Sequence, residues 1–132
     1  MKLVFLFALL NMSLAHEGHN KAPGTEMAPH GGVMQGTSQY YFELVSELVS
    51  EVSVIKLYPL NHDLKAIPIA QLAVSATSQV PKKAKESVKL IGVEDHFEGN
   101  VNAKGAHRYL IELVVKYQEK KQTLTFQVEP QN

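Results

Sequence analysis

Cysteine is absent from the chain. That removes disulfides, thiolate metal sites and thiol nucleophiles together. Tryptophan is absent as well. An excess of one charge is also missing, since 13 Lys and Arg balance 13 Asp and Glu. There is thus no basic footprint for nucleic acid and no charge block for a membrane surface. Catalytic signatures are lacking too: no Gly-rich phosphate loop, no Gly-x-Ser-x-Gly elbow and no His-Glu-x-x-His. Serines and carboxylates are scattered without a partner pattern, so a non-enzymatic protein is expected.

What is present begins with an export signal. Lys2 supplies a positive start, Leu3 to Leu10 is apolar, and Ser13-Leu14-Ala15 offers small residues at a cleavage site. As a helix, Leu3 to Leu10 covers about 12 Å, far short of a hydrocarbon core of about 30 Å. Residues 1–15 are therefore expected to be a cleavable signal peptide rather than a stable membrane anchor. No cysteine follows to carry a lipid, and the expected compartment is the periplasm.

Residues 16–38, rich in His, Gly and Pro, hold almost no large apolar side chains. Such a stretch buries too little surface to offset its ordering entropy, and a flexible tail is expected, with its last part pinned near His30-Gly31-Gly32. Residues 39–132 change character. Tyr40 to Val45, Val52 to Tyr58, Gln71 to Thr77, Ser87 to Val93, Phe97 to Val101, His107 to Tyr117 and Thr123 to Val128 carry β-branched and aromatic residues or period-two alternation. The pattern predicts an all-β domain of about six to seven strands, an antiparallel sandwich or a small barrel. In the long strand Tyr109, Ile111, Leu113 and Val115 should face one way. The doubled Glu-Leu-Val-Ser unit at 43–50 also fits a helix, with Leu44, Val45, Leu48, Val49 and Val52 on one stripe. Strand is preferred, because no cap or glycine stop delimits a helix.

The six histidines are the residues with chemistry to offer. After cleavage His16 would be the first residue, and its free amine and imidazole could chelate one ion together. Glu17 and His19 lie within reach, and His30 could be brought in along the tail. Nitrogen donors of this kind suit copper or zinc. His62 beside Asp63 and His107 read as turn and strand-end residues; Asp95-His96 could be one ligand pair, but the preferred reading there is a polar loop.

Ala28-Pro29-His30-Gly31-Gly32-Val33-Met34-Gln35, then Tyr41-Phe42-Glu43-Leu44-Val45, then Val54-Ile55-Lys56-Leu57-Tyr58 form a wider pattern. It resembles the small periplasmic β domain found alone and as the N-terminal domain of heavy-metal efflux adaptor (membrane fusion) proteins. The resemblance covers about Pro29 to Leu60. It implies a periplasmic β fold linked to metal handling, and it singles out His30, Gly31, Gly32, Glu43 and Tyr58. Two departures stand out: the interval from Glu43 to Tyr58 is longer, and Tyr41 stands where the pattern has a histidine. The expected function is a non-enzymatic periplasmic metal-binding protein, a buffer or carrier for copper- or zinc-type efflux, with an efflux-system or envelope protein as partner. The alternative is a metal-free envelope domain that docks a protein partner.

Overall fold

The computed structural model describes residues 28–130. The expected signal peptide and the tail up to residue 27 lie outside them. Among the described residues nine strands form two antiparallel sheets that pack as a sandwich. They are β1 (Val33–Gly36), β2 (Tyr41–Val49), β3 (Val52–Leu60), β4 (Leu72–Gln79), β5 (Glu86–Val88), β6 (Ile91–Val93), β7 (His96–Asn102), β8 (Tyr109–Tyr117) and β9 (Lys120–Val128). One sheet has the order β1-β2-β3-β7-β6 and the other β5-β4-β8-β9. The architecture is the expected β-sandwich, with more strands than the six to seven read from alternation.

The extra strands are short ones. β1 falls inside the stretch 16–38, where the sequence suggested a tail. Ser87 to Val93, expected as one strand, is two: β5 joins one sheet and β6 the other. Lys89 and Leu90 carry the chain across between them. The doubled Glu-Leu-Val-Ser unit is strand throughout, paired residue for residue with β3 from Tyr41–Leu60 to Val49–Val52. Nine cross-strand partners outweigh a helical stripe that would have had to leave the ladder.

The core lies between the sheets. Phe42 and Leu44 of β2 and Ile55 and Leu57 of β3 enter it from one side. Ile111, Leu113 and Val115 of β8, with Leu124, Phe126 and Val128 of β9, enter from the other. Tyr109, Ile111, Leu113 and Val115 do face one way, all of them buried. Because strand side chains alternate, the residues between these core positions point to the outer faces. Glu43 and Tyr58 are two of them.

Candidate functional site

On the outer face of the first sheet the registers bring one row of side chains together. Met34 of β1 lies opposite Glu43 of β2, and Glu43 lies opposite Tyr58 of β3. The β3–β7 ladder ends at Leu57–Phe97, so the next step places His96 beside Tyr58. Their ring centroids are 4.7 Å apart.

The segment before β1 folds over this row. Ala28 to Gly31 form a turn closed by the Gly31 N–H on the Ala28 carbonyl at 3.0 Å. Pro29 presets the φ that the second position of such a turn requires. Gly31 has φ +74°, the left-handed region that favours glycine. Gly32 is needed for a different reason: a Cβ there would sit 2.3 Å from the Leu44 carbonyl oxygen. The turn delivers His30 onto Tyr58, with ring centroids 3.6 Å apart and planes 11° from parallel.

Glu43 is fully buried although it points away from the core. Each of its oxygens is matched. Oε2 accepts the N–H groups of His30 and Gly32, both at 2.8 Å, and Oε1 accepts Nδ1–H of His30 at 2.8 Å. A carboxylate so surrounded is stable out of water, whereas a bare one would not be. The pairing fixes the proton of neutral His30 on Nδ1 and leaves Nε2 with its lone pair. The His30 side chain is 36% exposed.

His96 is treated differently. Its Nδ1 donates to Asp95 Oδ1 at 3.0 Å and its Nε2 to Glu98 Oε2 at 2.8 Å. Burial disfavours charge on the ring, but the hydrogen bonds to Asp95 and Glu98 and their negative charges outweigh it, and the His96 pKa is raised. The hydrogen bond from His96 lowers the Asp95 pKa in turn. Burial pushes the Tyr58 phenol up, assisted by Asp95, Glu43 and Glu98. His62 also lies on this face. Its Nε2–H donates to the Ser38 carbonyl at 2.8 Å, and its ring meets Tyr41 edge-on at 5.0 Å. An imidazole therefore sits beside Tyr41, the position where the resembled pattern carries one.

The residues that the resemblance singles out, His30, Gly31, Gly32, Glu43 and Tyr58, are thus one contact cluster. Of the metal ligands expected from sequence, His30 is in it, while His16, Glu17 and His19 lie outside the described residues. Among the described residues no group of three or more His, Cys, Asp or Glu is placed to hold a metal ion. Nor is any helix there long and apolar enough to cross a membrane. The part that sequence reasoning missed is His96 with Glu98. Reading the strand from Phe97 put His96 in a loop. Starting it one residue earlier puts His96 and Glu98 on one face by simple alternation.

No family model matches the chain, and no curated protein matches it. Among solved structures, the fold is similar to the crystal structure of a DUF4426 family protein from Pseudomonas aeruginosa PAO1. The TM-score is 0.61 at 13% identity, over 79% of this chain and 99% of that one. At this identity the likeness is one of fold.

Proposed function

We propose that the chain is a non-enzymatic metal-binding protein of the periplasm, a buffer or carrier serving heavy-metal efflux. His30 is the ligand that the folded domain offers, and His16, Glu17 and His19 complete the donor set for one copper or zinc ion. The observation that carries this reading is the bond from His30 Nδ1 to the buried Glu43 carboxylate. A carboxylate behind one ring nitrogen fixes the tautomer, orients the ring and raises the basicity of the other nitrogen, as it does behind metal-bound histidines.

Isothermal titration of the mature protein with Cu(II) and with Zn(II) tests it. One site is expected, weakened in His30→Ala and in a chain starting at Pro29. Glu43→Gln, which keeps His30 but not its carboxylate, should weaken binding by about ten- to a hundredfold. Equal binding by all four proteins, or none above buffer, overturns the reading. The intact mass of protein recovered from the periplasm should match a first residue of His16, and a retained Met1 would remove the amine from the donor set. A second reading, a metal-free envelope domain that docks a partner, is favoured by one observation: both nitrogens of His96 are already engaged, so the outer face sets out a single open imidazole nitrogen in the His30–Tyr58–His96 row.

A further inference from the structure

β2 is longer than its neighbour on one side. β1 pairs with Tyr41 to Leu44 and stops, while β2 runs on to Val49. Among the described residues nothing pairs with that side of β2 from Val45 to Val49. The phase of the ladder says which groups are open there. The Thr37 N–H bonds the Tyr40 carbonyl at 2.8 Å, so Tyr40, Phe42 and Leu44 turn their main-chain groups toward β1. The tight turn between Val49 and Val52 sets the same phase, with odd-numbered residues of β2 bonded to β3. Continued along the strand, the alternation leaves the N–H and C=O of Ser46 and Leu48 facing outward.

Among the described residues, those that precede β1, 28–32, do not pair with them. At Gly31 the chain turns away and lies over Glu43 on the outer face. Beside the uncovered stretch is an opening of about 460 Å³, lined in part by Gly32, Val33, Val45, Ser46 and Gln127. Val33, which lines it, and Val49, the last residue of β2, are 49% and 48% exposed. From Tyr41 to Ile55 there is no Lys or Arg, and Glu47 and Glu51 are exposed. An open strand edge with apolar side chains and a negative rim has the chemistry of a strand acceptor.

We infer that the edge of β2 from Val45 to Val49 binds an extended segment of a partner protein, one in which Lys or Arg alternates with apolar residues, added as a further strand beside β2. The inference is independent of metal binding. The test is a nuclear magnetic resonance titration of the full mature chain with an acetylated seven-residue peptide alternating lysine and valine. Saturable shifts are expected at the amides of Ser46 and Leu48, weakening as salt is added. Ser46→Pro removes the outward N–H without touching the ladder to β3, a change that edge strands tolerate. It should weaken the peptide by roughly tenfold or more, about 1.4 kcal/mol. Leu48→Pro serves the same purpose if the first variant does not fold. Equal binding by the proline variant, shifts elsewhere on the protein, or no saturable binding overturns the inference. So does self-association of the unliganded chain that Ser46→Pro abolishes, because the edge would then belong to a second copy.

Discussion

Glu43 has three donors aimed at two oxygens, and its chemistry is therefore less replaceable than its shape. In Glu43→Gln one of those donors meets an amide N–H₂ instead of an acceptor, in a place water does not reach. The expected cost is about 1–3 kcal/mol, read from urea unfolding, and a change too small to measure would mean that the Ala28–Gly32 turn is not held by this carboxylate. His96 makes a prediction about pH. Its folded pKa lies above the ordinary value of 6.5, so folding binds its proton. The stabilisation is fully present below the unfolded value and is lost as pH rises through the folded one. Asp95, whose pKa is lowered from 3.8, acts in the opposite sense: its contribution is present above that value and is lost as pH falls through the folded one. The melting-temperature gap between the native chain and His96→Asn should therefore be widest in mildly acid buffer and close as the buffer becomes alkaline. A gap that widens toward alkaline pH would contradict the Asp95–His96–Glu98 assignment. At this scale sequence was a partial guide. The residues picked by resemblance, His30, Glu43 and Tyr58, converge, and the Asp95-His96 pair was readable as neighbours, whereas the His96–Glu98 contact was not, because it depends on a strand start one residue earlier than composition suggested.

Elements were legible where alternation was long. β8 from Tyr109 to Val115 and β9 from Leu124 to Val128 carry apolar side chains at every second residue and bury them. They were illegible where turn chemistry was unusual. Two of the tight hairpin turns, Ser50-Glu51 and Gln118-Glu119, have φ of 49° and 71°, and of 51° and 65°. Both positions of each turn are left-handed, the geometry of a tight hairpin that usually carries Asn-Gly. Without those residues, the doubled Glu-Leu-Val-Ser unit around Ser50 shows no hairpin signal and keeps a helical stripe as an alternative to the preferred strand. The same fact gives a prediction. A non-glycine residue in the left-handed region costs roughly 1–2 kcal/mol. Ser50→Asn combined with Glu51→Gly should therefore stabilise the protein by about 1–2 kcal/mol in urea unfolding. An unchanged midpoint would show that the strain is relieved elsewhere in β2 and β3.

The whole molecule depends on two sheets staying in contact, and here sequence could name the class but not the pairing. Alternation shows that each strand has a buried face; it cannot show that β5 and β6, two residues apart, are edge strands of different sheets, since that is set by long-range pairing with β4 and with β7. One polar contact between the sheets makes their packing measurable. The hydroxyls of Ser53 on β3 and Tyr109 on β8 lie 2.6 Å apart, both residues buried. In this apolar layer each satisfies the other, and β3 and β8 belong to opposite sheets. Removing one partner leaves a buried hydroxyl unbonded, at about 1–3 kcal/mol, whereas removing both leaves no orphan. Tyr109→Phe and Ser53→Ala should each lower stability in urea, and the double variant should fall short of the sum of the two losses by about 1 kcal/mol. If the losses simply add, the two hydroxyls do not depend on each other, and the face-to-face position of β3 and β8 would need to be redrawn.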